Sequence, residues 1–407
     1  MKILHTADWH IGKKLHKHEL SKDFDLFTDW LKEVIVKESI DLLLISGDIF
    51  DLANPSSEAR TQYYKALIKL QKLNCKIIAT GGNHDSPTML DAPKEILKAL
   101  DMEVIGGLPK ELEDTIIPVK NEQGNIEVIV AAIPFLRDAD LRSGTSASTY
   151  EERLQAIREG IKNVFLDAWE ICETNYPDIP VIAMGHLFTA GSDTSESERD
   201  IQIGNQAAFN ALQFGENFKY IALGHIHKPQ RVSANIPIFY SGSPLPLSFS
   251  ERKDEKRILI LDTTKSWEPE SINIPIFRRL LRISGTLQEI QQKLEELIFM
   301  GQLDSLIEID MIEFQYDAQK IYMLDQLVNN FDKNGFEIVK QRAQFTNQVK
   351  GTSELYSENQ QLEDLAPKDV FLELIANHAY NDEQKKEILS AFDEIMEEVQ
   401  HAEKSDQ

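Results

Sequence analysis

Residues 77–87 read IIATGGNHDSP: an apolar run, Ile77-Ile78-Ala79, stops at two glycines and sets Asn83, His84 and Asp85 side by side before a turn. Gly, Asn, Asp, Ser and Pro are ordinary residues of exposed turns, so alone the stretch is only that. Its meaning comes from four other apolar runs that end in the same way. ILHTA runs into Asp8-Trp9-His10, LLLISG into Asp48, VIAMG into His186, and YIALG into His225-Ile226-His227. Open α/β sheets form their sites outside the carboxyl ends of strands, so five such endings predict one shared site.

The pattern around these runs fits that sheet. Short apolar segments at Ile3-Leu4, Leu42 to Ile45, Ile77 to Ala79, Val128 to Ile133, Val181 to Met184, Ile221 to Leu223 and Ile236 to Tyr240 read as strands, most of them buried on both faces. Helix-like segments, Asp23 to Lys37 and Ser57 to Leu73, lie between the early ones, which predicts an α/β layered core. Two inserts are expected later: a polar-to-helical piece from Arg137 to Glu170, and the loop GSDTSESERD at 191–200.

From Pro275 the texture changes. FRRLLRISG, SLIEIDMIEF and FEIVKQRAQF read as strands, with helices at Thr286 to Phe299 and Ala318 to Phe331. This predicts a large main domain over 1–274 and a small α+β domain over 275–348, of the size of an appended unit. A polar linker over 349–364 and a pair of amphipathic helices over 365–407 follow. Ile388, Phe392, Ile395, Met396 and Val399 share one stripe of the second helix, a surface suited to a partner.

Composition narrows the class. The 407 residues carry a formal net charge of −24, against a general nucleic-acid coat protein. A local basic patch exists in GKKLHKHE: Lys13, Lys14, His16, Lys17 and His18. The two cysteines, Cys75 and Cys172, read as buried free thiols. No apolar run is long enough for a membrane span, and MKILHTADWH lacks the pattern of a secretory leader, so a cytoplasmic location is expected.

Asp, His and Asn form a mixed oxygen and nitrogen donor set suited to Mn, Fe or Zn. The pairs Asp8/His10 and His225/His227 are spaced i, i+2, which in extended chain points both members the same way. Seven ligands exceed what one catalytic ion with an open position takes. They suit two ions, about 3.5–4 Å apart, sharing a carboxylate, the arrangement used for in-line attack on phosphorus.

The set D-x-H (Asp8, His10), G-D (Asp48), G-N-H-D (Gly82 to Asp85), G-H (His186) and G-H-x-H (His225, His227) resembles the calcineurin-like metallophosphoesterase superfamily. Within it, HTADWHIGKKLH, SGDIFDLANPSSEAR, GNHDSP, HLFTAGSDTSESER and GHIHKPQ are similar to the nuclease subunits of bacterial double-strand-break repair complexes. The resemblance implies a four-layer α-β-β-α core with a small α+β capping domain that helps bind DNA. It implies a C-terminal helical pair that docks on a coiled-coil ATPase partner, and a homodimer within a heterotetramer. Two divalent ions follow from it, Mn²⁺ first and Mg²⁺ or Fe²⁺ as alternatives: Asp8, His10, Asp48 and His227 would hold one, and Asp48, Asn83, His186 and His225 the other. His84 would face the substrate and protonate the leaving oxygen, with Asp85 orienting it. The implied activity is DNA hydrolysis without sequence preference, exonucleolytic on duplex ends with the ATPase and endonucleolytic on single strands and hairpins. Rival readings are a phosphatase or cyclic-nucleotide phosphodiesterase on the same core, and a mainly architectural subunit that tethers DNA ends.

The chain departs from the pattern at one place. Archaeal and eukaryotic relatives have a second His three residues after G-D, where this chain has Asp51. Elsewhere the ordinary reading holds: His5 as a core histidine, the basic patch as a solvated turn with phosphate contact as its second reading, and Arg137 and Arg142 as surface charge. Tyr63, Tyr64, Leu67, Ile68 and Leu70 suit either a core helix or a dimer face.

Overall fold

Leu42-Leu43-Leu44-Ile45 is apolar at every position because this strand is covered on both sides. Leu42 and Leu44 pack with Ile3, Ile78, Val130, Ile182 and Met184, while Leu43 and Ile45 pack with Phe27, Leu31, Tyr63 and Leu67. Strand side chains alternate between faces, so these two clusters lie on opposite sides of one sheet. The computed structural model describes residues 1–121, 123–141, 149–194, 198, 208–346, 388, 389, 391 and 392.

The first sheet has the order Ser266–Asn273, Arg257–Asp262, Lys2–Thr6, Leu42–Ser46, Lys76–Thr80, Met102–Ile105. Its last four strands are parallel, and Arg257–Asp262 is antiparallel to both neighbours. The second sheet runs Gln230–Arg231, Ile238–Tyr240, Tyr220–Gly224, Val181–His186, Ile126–Ala132, Ile116–Lys120, parallel in its four central strands. One shared core joins them, since Val128, Val130, Ile182, Met184 and Ala222 of the second sheet pack with Ile3, Leu42, Leu44 and Ile78 of the first.

Helices close the outer faces. Ser21–Glu38 buries Phe24, Phe27, Leu31, Val34 and Ile35, one stripe at helical spacing, and Ser57–Gln71 is capped by the Ser56 side chain accepting from the Ala59 amide. On the other side Tyr150–Asn175 begins with a capping box of Thr149 and Glu152 and buries Ile157, Ile161, Phe165, Ala168 and Cys172 against the second sheet. The segment expected as an insert from Arg137 to Glu170 is therefore largely a core helix; its polar opening residues disguised the apolar stripe further on. The result is a mixed α/β architecture in four layers, α-β-β-α, with added elements. Both cysteines are buried and free.

The later strands and helices form where the pattern placed them: Leu280–Gly285, Ser305–Glu313 and Phe336–Phe345 in a three-stranded sheet of that order, with helices Leu287–Glu295 and Ala318–Asn329. The chain divides into two compact units. One comprises Met1–Ile283, Lys293–Ile309 and Asn330–Gln341; the other comprises Ser284–Gln292, Asp310–Asn329 and the described residues from Arg342 onward. The expected linker over 349–364, Arg142, and nearly all of the helical pair over 365–407 lie outside the described residues. Among the described residues no helix is long and apolar enough to cross a membrane.

The two sheets approach closely at Gly224, where an added Cβ would sit 1.7 Å from the Ser46 carbonyl oxygen. Gly224→Ala must part the carboxyl ends of the sheets. A loss on the order of 1–3 kcal/mol is expected, the usual penalty for overfilling a packed interior. Urea unfolding measures it, and a wild-type midpoint would show that the sheets part there freely.

Candidate metal centre

Strand ends deliver the side chains. Lys2–Thr6 leads into Asp8 and His10, Leu42–Ser46 into Asp48, and Lys76–Thr80 into Asn83, His84 and Asp85; Val181–His186 ends on its ligand, and Tyr220–Gly224 leads into His225 and His227. The pairs at i, i+2 do not lie in extended chain as their spacing suggested. Asp8 (φ 52), His10 (φ 45), Asp48 (φ 46) and His225 (φ 101) all have positive φ, so tight turns beyond the strands aim them. Such conformations cost a non-glycine residue about 1–3 kcal/mol each.

Bonds between the turns hold that strain. The Asp8 amide donates to the Gly47 carbonyl at 3.1 Å and the His10 amide to the Asp48 carbonyl at 3.0 Å. Asp8 Oδ1 accepts from the His225 amide, and Asp48 Oδ1 from the His84 amide, both at 2.9 Å. Each turn is thereby fixed by another.

Inside this frame the donors converge. Asp48 Oδ2 lies 3.4 Å from His186 Nε2, 3.5 Å from His10 Nε2 and 4.0 Å from His84 Nε2. His10 Nε2 and His227 Nε2 face each other at 3.1 Å. Asn83 Oδ1 sits 2.9 Å from His186 Nε2 and 3.2 Å from His225 Nδ1. Asp8 Oδ2, His10 Nδ1 and His225 Nε2 are buried with no hydrogen-bond partner. Donor atoms gathered this closely, three of them unsatisfied, fit divalent ions held among them. The groups Asp8/His10/His227 and Asp8/Asp48/His186 each have ligand atoms close enough for one ion, as does His10/Asp48/His84.

Electrostatics follow from burial. Burial pushes the Asp8 carboxyl up, to about 7, against the pull of His186 and His227. Burial favours neutral His186, yet Asp48 and Asp8 outweigh it and raise the imidazole to about 9. Burial likewise opposes ionised Asp48, and its imidazole neighbours hold it well below the ordinary carboxylate value. Burial lowers His10 to about 4, and His225 falls well below its usual value for the same reason.

His84 stands apart from the ligand set in one respect: its Nδ1 lies 2.7 Å from the Asp51 carbonyl oxygen. That contact orients the ring, the task expected of Asp85. Asp85 instead accepts from the amides of Gly82 (2.8 Å), Ile49 (3.0 Å) and Phe50 (2.9 Å), so it braces the G-D and G-N-H-D turns against each other. Burial, with Asp48 nearby, raises its carboxyl to about 6. Arg137 is more than surface charge: half-buried, it donates to the Asp85 carbonyl at 3.2 Å and lies over the Phe135 ring. His5 is a core histidine, its Nδ1 2.8 Å from the Tyr220 hydroxyl, and burial lowers it to about 3. Most of the basic patch follows its ordinary reading, with Lys14 paired to Glu19, His18 to Glu337, and His16 stacked on Phe249, whereas Lys13 turns inward and pairs with Asp51 at 3.0 Å.

Sequence reasoning missed Glu251 and Lys256. They form a buried ion pair behind His227, with Glu251 Oε1 3.5 Å from His227 Nδ1 and Lys256 Nζ donating to the His227 carbonyl at 3.0 Å. Nothing in SFSERKDEKR distinguishes them from surface charge; only the short helical turn Phe249–Lys253 brings Glu251 inward.

Residues 1–229 match the family model of the calcineurin-like phosphoesterases, and residues 276–379 match one described as the type 5 capsule protein repressor C-terminal domain. The chain is 32% identical over 327 residues to SbcD of the nuclease SbcCD from Escherichia coli K12, covering 79% of this chain and 80% of that one. It is 36% identical over 312 residues to the protein of the same name from Rhodobacter capsulatus, covering 73% and 76% respectively. The chain belongs to the SbcD family of calcineurin-like phosphoesterases. Membership in this family and the clustered ligand groups together make it a metal-dependent phosphoesterase.

These shifts give ion binding a pH dependence of definite sign. His186 is raised from 6.5 to about 9 in the folded, ion-free chain, so its stabilising contribution is complete below pH 6.5 and is lost as pH rises through 9. A ligand must shed that proton, and Asp8, raised to about 7, must shed its own. Mn²⁺ affinity is therefore expected to climb between pH 7 and 9, with at least about one proton released per chain near pH 7. Titration calorimetry in buffers of different ionisation enthalpy counts those protons; a count of zero would contradict the assignment.

Proposed function

We propose that this chain is the nuclease subunit of an SbcCD-type complex and hydrolyses DNA phosphodiesters at a two-metal centre. The observation that carries the reading is the placement of Asp48 Oδ2 between His10 and His186, one from each half of the ligand set, with His84 Nε2 4.0 Å away. Asp8, His10, Asp48 and His227 would hold the first ion, and Asp48, Asn83, His186 and His225 the second, with Asp48 as the bridge. Bound there, two divalent ions, Mn²⁺ first and Mg²⁺ or Fe²⁺ as alternatives, would neutralise the phosphoryl oxygens and activate water for in-line displacement.

The chain's own residues do the rest. His84, held through Nδ1 by the Asp51 carbonyl, offers Nε2 as proton donor to the departing sugar oxygen. Asp85 keeps its turn in register with the Asp48 turn through three amide bonds. Among the ligands Asp8, His10, Asp48, His186, His225 and His227 are at most 2% exposed, which keeps bulk water from competing for them.

The relatives' name supports the wider reading. The chain would act beside an SbcC-type coiled-coil ATPase, cutting duplex ends with it, and single strands and hairpins as an endonuclease, in DNA repair, recombination and replication. Residues 275–348 would cap the site and bind DNA, 349–364 would link, and 365–407 would dock on the ATPase. A homodimer inside a heterotetramer and a cytoplasmic location belong to the same proposal. With a net charge of −24, DNA affinity has to come from ions and partner rather than from a basic face.

A nuclease assay on single-stranded, hairpin and blunt duplex DNA, with and without the ATPase, tests this. His84→Ala is expected to keep Mn²⁺ binding and lose about 10²–10⁴ of its turnover, the usual share of a general acid. Asp48→Ala is expected to lose the ions themselves. Near-normal cleavage by His84→Ala removes the acid assignment, and monoester hydrolysis without DNA cleavage favours a phosphatase.

A further inference from the structure

Two histidines of the first ion's set share a feature that those of the second lack. Behind His10, Asp51 Oδ1 lies 3.3 Å from Nδ1, and Lys13 Nζ donates to that same oxygen at 3.0 Å. Behind His227, Glu251 Oε1 lies 3.5 Å from Nδ1, and Lys256 Nζ donates to Glu251 Oε2. The second set is backed differently: His186 Nδ1 lies 3.1 Å from the Ser46 main-chain carbonyl and 3.9 Å from Asp8 Oδ1, a carboxylate of the candidate ligand set itself, and His225 Nδ1 faces Asn83.

We propose that Asp51 and Glu251 are paired positioning residues: each holds the Nδ1 of one imidazole, is itself held by a lysine, and so turns both Nε2 atoms to a single ion. The facing of His10 Nε2 and His227 Nε2 at 3.1 Å is the outcome of that arrangement. An imidazole whose Nδ1 carries the proton has its free lone pair on Nε2, and a carboxylate on the proton makes that lone pair a stronger donor. The two contacts, at 3.3 and 3.5 Å, are charge contacts longer than ideal hydrogen bonds, and His10 Nδ1 makes no hydrogen bond of its own.

Each carboxylate is met by a lysine ammonium, Asp51 by Lys13 and Glu251 by Lys256. Glu251 and Lys256 are buried, so neither charge survives there without the other. Asp51 is 15% exposed at its side chain and needs less support. Asp51 therefore has two tasks: its carboxylate positions His10, and its main-chain carbonyl, which any residue there would supply, positions His84. An imidazole there would leave Lys13 unpaired and His10 without an anion. The predicted consequence is unequal sites, with the ion between His10 and His227 held more tightly than the one between His186 and His225.

The proposal rests on the two-metal reading, and Mn²⁺ titration calorimetry of the ion-free chain separates the two. Wild type is expected to show two classes of site; binding of no ion overturns both readings. Asp51→Asn and Glu251→Gln are expected to weaken the tighter class by about 10–100-fold, as loss of a ligand's outer partner does, and to leave the weaker class unchanged. Asp51→Glu should recover part of the loss. Because Glu251→Gln strands Lys256, the double variant Glu251→Leu/Lys256→Met provides a folded form without buried charge, and it too should lose the tight class. Long-range ¹H–¹⁵N spectra of the ion-free wild type should show His10 and His227 protonated at Nδ1. Wild-type binding by the folded variants overturns the proposal, and so does equal weakening of both classes, which would mark the two carboxylates as structural only.

Discussion

The carboxylate of Asp48 is the point around which the strand ends are built. It is 1% exposed, and an isolated carboxylate at that depth would not stay charged. It is kept so by imidazoles: His186, His10 and His84 surround Oδ2, and the His84 amide donates to Oδ1. To crowd so much around two oxygens, the backbones have to come closer than a side chain allows. Gly47, at φ 81, has no room for a Cβ beside His186, and a Cβ on Gly82 would fall 2.1 Å from Asp48 Oδ1. Gly224 leaves no room either. The glycines of G-D, G-N-H-D and G-H-x-H thus meet one requirement, close approach at crowded strand ends: Gly47 to the His186 ring, Gly82 to the Asp48 carboxylate and Gly224 to the Ser46 carbonyl.

The same crowding leaves the ion-free site in conflict with itself. Asp8 and Asp85 are buried within reach of Asp48, and burial, with the Asp48 charge, pushes both carboxyls up. Asp85 resolves its share through three amides, and so becomes a brace instead of a ligand. Asp8 resolves only half of its own, with Oδ2 unsatisfied. Four residues at positive φ add strain on top. Ions that bind only the folded chain offset this strain and stabilise it, through simple mass action. The site is then a place where folding and ion binding support each other, which a fully satisfied polar network would not need.

How much of this was legible in the sequence depended on whether the cause was local. Near-continuous apolar runs such as Leu42 to Ile45 betray strands covered on both faces, and both sheets proved to be so covered. The ligand residues were legible because all of them share one topological position. The helix Tyr150–Asn175 was not, since its apolar stripe starts only at Ile157 after a charged first turn. Asp85 was expected to orient His84 because a carboxylate commonly does so for a working imidazole, whereas the ring contacts the Asp51 main-chain carbonyl. Glu251 and Lys256 were invisible: both lie in a charged segment whose burial depends on the strand Arg257–Asp262 joining the first sheet far from its neighbours in sequence. A contact between segments as separate as those of His227 and Glu251 leaves no periodic trace.

The placement of the cations bears on how so acidic a chain handles a polyanion. Lys13 is paired with Asp51, Lys256 with Glu251, and Arg137 with the Asp85 carbonyl. These three positive groups bordering the site are committed to the protein's own oxygens, where each steadies a ligand or a turn. A phosphodiester entering this cleft would therefore find its charge balanced mainly by ions and by a partner's surface. Phosphate binding by these lysines would require them to leave acids that are buried or nearly so, and a buried carboxylate stripped of its ammonium is costly. On the proposed function, the acidity of the chain and the lysines at its site have one explanation: fixed positive charge would hold the ligands, and mobile positive charge would meet the substrate.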